Sequence, residues 1–155
     1  APFMIMGKDL HPDTDNVFGY IQLGTSSGVN TGSTDYAWYN FGRGVNGTEA
    51  ANPSGYQAYQ SAHIAVSTYD NSGDIGNQAD SGVSFQGMCE NPRGAEQVAA
   101  IHGNAGIYHG GDNMYIHIEW GGVRQAKITT DRILFAFNSG NIVSGSIYIY
   151  ELATS

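Results

Sequence analysis

His102, His109 and His117 fall within sixteen residues of chain, and imidazoles gathered that closely invite a test as metal ligands. On a strand, His117 and Glu119 would set an imidazole and a carboxylate on one face about 7 Å apart. The spacing matches no zinc signature, and His102 and His109 are expected in glycine-rich turns, so the three read as hydrogen-bonded or solvated side chains. Asp70-Asn71-Ser72-Gly73-Asp74 offers oxygen ligands around a glycine. It lacks the pattern and closing glutamate of an EF-hand, and a turn between strands accounts for it. No metal and no cofactor is expected.

Catalytic patterns are equally sparse. Glycoside hydrolysis needs two carboxylates across a cleft, and the 14 acidic residues cannot be paired from sequence. There is no Gly-x-Ser-x-Gly elbow and no phosphate loop. Gly103-Asn104-Ala105-Gly106 with Gly110-Gly111 is glycine-rich but precedes no helical pattern, so it reads as turn chemistry. A non-enzymatic protein is expected. Cys89, the single cysteine, excludes an intrachain disulfide and reads as a small core residue.

The aromatic residues are richer. In Tyr36-Ala37-Trp38-Tyr39-Asn40-Phe41 all but two positions are aromatic, so on a strand one face must be exposed or meet a partner. The stretch Gly42–Ser61, expected as one long connection, adds Tyr56 and Tyr59 with Asn46, Glu49 and Asn52 as polar neighbours. Tyrosine and tryptophan join a flat apolar face to a hydrogen-bonding tip, which suits sugar stacking and subunit packing alike. Tyr36, Trp38, Tyr39, Tyr56, Tyr59, Asn46 and Glu49 are therefore the candidate ligand contacts, with packing as the other reading. Trp120 reads as core.

These side chains need a scaffold, and composition points to strands. The chain has 155 residues with 22 glycines and few strong helix formers, and turn signals punctuate its apolar runs. Strands are expected at Val17–Leu23, Tyr36–Phe41, Ala62–Tyr69, Val83–Cys89 and Glu96–His102. Near the end, Met114, Ile116, Ile118 and Trp120 would share one face, with Tyr115, His117 and Glu119 on the other. Ile133–Phe137 and Ile147–Leu152 are apolar on both faces, so each is either central in the fold or covered by a neighbouring subunit. The expected fold is all-β: an antiparallel two-sheet sandwich, jelly-roll-like, of about eight or nine short strands. Residues 17–155 would form it, with residues 1–16 as a lead-in holding one short strand or a stalk junction.

Charge narrows the partners. The net charge is −8 with only six Lys and Arg, scattered along the chain, so nucleic acid is not an expected partner. No apolar run approaches the ~20 residues of a membrane-spanning helix, and no membrane insertion is expected. The opening Ala1–Met6 has no basic region of the kind a signal peptide carries, and a start at Ala1 suggests a fragment or processed chain. Asn46-Gly47-Thr48 matches a glycosylation sequon, a tripeptide that chance often produces.

The C-terminal third carries something more specific. Asp131-Arg132-Ile133-Leu134-Phe135-Ala136-Phe137 leads through Asn138-Ser139-Gly140-Asn141 into Ile142-Val143-Ser144-Gly145-Ser146 and ends in Ile147-Tyr148-Ile149-Tyr150-Glu151-Leu152. This resembles the ending of many bacteriophage tail fibre, tailspike and minor tail proteins. Those chains close with an apolar strand, a Ser-Gly-Asn turn, an Ile-Ala-Ser-Gly-Thr-like segment and a strand ending Leu-Tyr-Gly-Ile. Val143 and Glu151 depart from that pattern, and Ala153-Thr154-Ser155 extends beyond it.

The resemblance is strong over about twenty-five residues and looser from Val17 to Leu152. It implies a jelly-roll-like domain on a virion, at the tail or capsid surface, assembled as a homotrimer among other virion proteins. It further implies recognition of a host surface polysaccharide, or else a structural trimerisation cap or capsid decoration without a glycan. Tyr148, Tyr150 and Leu152 are the expected subunit-interface residues.

Overall fold

A computed structural model describes residues 2–46, 53–68, 75–90, 98–109 and 113–153. Among the described residues the backbone forms eleven strands: β1 Phe3–Pro12, β2 Gly19–Thr25, β3 Gly28–Val29, β4 Tyr36–Asn46, β5 Ser54–Ser61, β6 Ile64–Ala65, β7 Gly82–Glu90, β8 Ala100–His109, β9 Met114–Arg124, β10 Arg132–Phe137 and β11 Ile142–Glu151. They make two antiparallel sheets. One has seven strands in the order β11-β1-β7-β8-β9-β4-β5; the other runs β10-β2-β3, with β6 also paired to β2. The sandwich class expected from composition is what the chain adopts. Consecutive β7, β8 and β9 form a meander within one sheet, whereas a regular jelly roll alternates its strands between sheets.

The alternation read from β9 is realised. Ile116, Ile118 and Trp120 point inward and are buried, while Tyr115, His117 and Glu119 face out. Ile101, Ala105 and Ile107 of β8 and Val83, Phe85 and Cys89 of β7 extend the same inner face. Opposite lie Ile21 and Leu23 of β2 and Phe135 and Phe137 of β10. The sheets lock where Phe85 of β7 stacks on Phe135 of β10 with centroids 4.7 Å apart; within the larger sheet Phe85 also meets Trp120 edge-on at 6.4 Å. Each such buried side chain contributes roughly 1.5–3 kcal/mol by leaving water.

Several expectations need correction. Gly42–Ser61 is not one loop: β4 continues to Asn46, and Ser54–Ser61 is β5, paired to β4 from Gly42↔Ser54 to Tyr36↔Ser61. Glycines 42 and 44 are tolerated there because β9 pairs with β4 along its whole length. His102 is not in a turn; Ala100–His109 is one strand, with Gly103 and Gly106 inside it, held by ladders to β7 and β9. The strand expected at Ala62–Tyr69 shrinks to the two-residue β6. Phe3–Pro12 is a ten-residue strand between β11 and β7, longer than the short strand expected there. Residues 91–97, which include the first two residues of the expected Glu96–His102 strand, lie outside the described residues.

The two apolar C-terminal strands part company. Phe135 and Phe137 of β10 are buried, whereas every residue of β11 is exposed. β11 is the edge of the larger sheet, so it is not central within one sandwich. Val143 is 61% exposed and Ile149 55%.

Candidate functional site

Strand register defines which residues share the outer face of the seven-stranded sheet. One row across it runs Gln57, Tyr39, Gly121, His102, Met88, Met4 and Tyr150. The next begins Phe41, Glu119, Asn104 and Gln86, and the third Arg43, His117, Gly106 and Ser84. Two of the clefts lined by the described residues lie on this face.

The smaller cleft, about 400 Å³, lies among β5, β4, β9 and β8. Tyr39 (54% exposed) and Tyr59 (73% exposed) flank it, and His102 lies at its other side. Gly121 explains the pose of Tyr39: a Cβ there would stand 2.9 Å from Tyr39 Cε1, so the missing side chain is what lets the ring lean onto the sheet. The ring then keeps its far side in solvent.

The larger cleft, about 570 Å³, sits where β1, β7, β8 and β9 meet. Tyr115, 48% exposed, leans over Gly106 in the same way, with its Oη 2.7 Å from where a Cβ would be. Tyr108 Oη donates to Asn113 Oδ1 at 2.6 Å. The polar wall comes from a bulge in β1. Between the pairs Lys8↔Ser146 and His11↔Ser144, Asp9 and Leu10 face the single residue Gly145. Asp9 takes φ 51° and Gly145 φ 113°, and a Cβ on Gly145 would press on the Asp9 carbonyl at 2.6 Å. A bulge of this kind re-aims side chains. Here it brings Asp9 and His11 to the cleft, where the Asp9 amide donates to Ser84 Oγ (3.0 Å) and His11 Nδ1 lies 2.8 Å from the Ser81 carbonyl.

The sequence candidates separate accordingly. Tyr39 and Tyr59 come together at the smaller cleft. Tyr36 does not join them: it is fully buried, its hydroxyl donating to Leu23 O at 2.7 Å and accepting from Leu23 N at 2.8 Å. Desolvation pushes its pKa up to about 12. Trp38 points inward and packs against the core, its indole N–H buried without a partner, as is the amide of Asn40. Tyr56 is half-buried and opposes Asn40 across β4 and β5. Asn46 ends β4, its side chain and the whole of Glu49 falling outside the described residues. Asp70–Asp74 lies outside them too.

His117 and Glu119 do share a strand face, and His102 shares that outer face. Among the described residues no three His, Cys, Asp or Glu side chains are grouped as metal ligands. Cys89 is buried, and desolvation raises its pKa to about 12. On β11, Tyr148 and Tyr150 are exposed and stack with centroids 6.4 Å apart, while half-buried Leu152 follows the strand.

Tyr115 and Asp9, which line the larger cleft, are not among the sequence candidates. The alternation of β9 already put Tyr115 outward, so a signal existed for it. For Asp9 there was none, because its position depends on the bulge. No family model, curated protein or solved structure matches the chain.

Proposed function

We propose that the chain is a non-enzymatic adhesion domain that binds host surface carbohydrate on the outer face of its seven-stranded sheet. The observation that carries this reading is the pair Tyr39–Gly121. A half-exposed tyrosine seated on a glycine offers one ring face for stacking on a sugar, and Gln57, Tyr59 and His102 supply hydrogen-bonding groups at its margins. The C-terminal resemblance to tail fibre and tailspike proteins supports a place on a virion, where repeated copies would turn weak sites into firm attachment.

The test is retention on immobilised host polysaccharide. Tyr39→Ala and Tyr59→Ala should each weaken binding without unfolding the domain, and unchanged binding in both would overturn the assignment. Asp9 and Asp80 both line the larger cleft, so a reducing-end assay checks hydrolysis. No product is expected.

A second reading, a structural trimerisation cap or capsid decoration without a glycan, draws on β11. An edge strand apolar on both faces and bare of protein invites a neighbouring subunit. Both readings place Tyr148 and Tyr150 in a homotrimer contact, and only the first expects glycan retention.

A further inference from the structure

We infer that the two clefts are subsites of one groove, and that the groove takes an internal stretch of a linear, uncharged polysaccharide laid along β8 and β9. This rests on the carbohydrate reading above and goes on to specify the shape and charge of the ligand.

The spacing comes first. Tyr39 leans over Gly121, and Tyr115 leans over Gly106, whose partner on β9 is His117. His117 and Gly121 are four residues apart on one strand, which is about 13 Å. One sugar ring cannot touch both platforms, whereas a chain can. On β8 and β9 the row between them is polar, with Phe41 beside it on β4: Glu119 and Asn104 are cross-strand partners there and face outward, placed to exchange hydrogen bonds with hydroxyls of a sugar between the platforms.

Charge selects against an acidic chain. Asp9 and Asp80 line the larger cleft and Glu119 lies on the path, in a protein of net charge −8. Carboxylates accept hydrogen bonds from neutral hydroxyls but repel uronate or sulfate groups. The Asp9 conformation, with φ 51° at a non-glycine residue, is the strained kind that clusters at functional sites.

Linking two weak subsites through one ligand multiplies affinity, so chain length is the readout. The probes are cello-, xylo- and manno-oligosaccharides of two and of six units, titrated by calorimetry into the intact domain, with carboxymethylated cellulose as the acidic control. At least one six-unit series should bind on the order of tenfold or more tighter than its two-unit counterpart. Tyr115→Ala should abolish that length dependence while leaving two-unit binding at the Tyr39 subsite. The acidic polymer should bind more weakly than its neutral parent. Equal affinity for both lengths, or a six-unit affinity untouched by Tyr115→Ala, overturns the groove and leaves the carbohydrate reading standing. Absence of binding by every probe overturns the groove, and retention on immobilised host polysaccharide then decides the carbohydrate reading by itself. Melting curves of each variant separate lost binding from lost folding.

Discussion

Tyr36 Oη, on β4 of the larger sheet, lies 2.7 Å from the carbonyl oxygen of Leu23 and 2.8 Å from its amide nitrogen, on β2 of the smaller one. One hydroxyl thus donates and accepts between the two layers of the sandwich. The Arg124 guanidinium sits 5.7 Å from the centre of the same ring, and its ion pair with Asp35 (3.1 Å) holds the segment before β4.

Tyr36→Phe keeps the ring and removes the hydroxyl, leaving the Leu23 amide buried without that acceptor. The expected cost is about 1–3 kcal/mol in equilibrium denaturant unfolding. A loss below a few tenths would mean that the Leu23 amide finds another acceptor.

Gly121→Ala separates platform geometry from stability. The added methyl would meet the Tyr39 ring, a side chain free to swing outward, and no left-handed φ is involved. Unfolding midpoints should stay near wild type while binding to immobilised polysaccharide falls. A stable variant with full binding would show that the ring need not lean on the sheet.

Acid should destabilise the domain in two windows. His63 packs beside Phe18 and Tyr20, and burial lowers its pKa from the ordinary 6.5. Its neutral form is favoured in the fold, so stability is full above pH 6.5 and declines as pH falls toward the depressed folded value. The Asn141 backbone amide, then its side chain, lower the Asp13 pKa from 3.8, which adds a second decline below that value. Melting temperature measured from pH 8 to 3 should drop in both windows, and His63→Phe should flatten the upper one.

β11 predicts assembly. Light scattering after gel filtration should give a mass of three chains, and Ile149→Lys should reduce it to one without lowering the monomer's unfolding midpoint, since that side chain is more than half exposed within its own chain. A wild-type monomer would remove the subunit contact from the proposal.

How far the sequence could be read depended on whether a residue's place is set by its own strand or by a distant one. Period-two alternation put Trp120 inside and Tyr115 outside, because both faces of β9 are determined by local pattern. The same rule failed at Gly103 and Gly106, whose residue type signals a turn. There the ladders to β7 and β9 decide the backbone, and the Gln86 carbonyl comes so close to Gly103 that a side chain would not fit. Gly42 and Gly44 misled in the same way. Tyr36–Phe41 was rightly seen to need an outward aromatic face. That Tyr36 is claimed by Leu23, and Tyr39 by a glycine on another strand, depends on inter-strand register that no single segment encodes. The larger cleft was invisible for the same reason, since its walls come from four strands and a bulge.

The strand at the exposed edge and the strand beside it have one more consequence. β1 and β11 are the first and last strands and pair from Phe3↔Glu151 onward, and the amide of Leu152 donates to the Pro2 carbonyl at 2.9 Å. Residues 2 and 152 therefore leave the domain side by side. A linker of a few residues would close the chain into a ring, and new ends could be opened at the exposed Thr25–Gly28 turn between β2 and β3. Such a circular permutant should fold to the same sandwich, with β1 and β11 becoming a covalent hairpin.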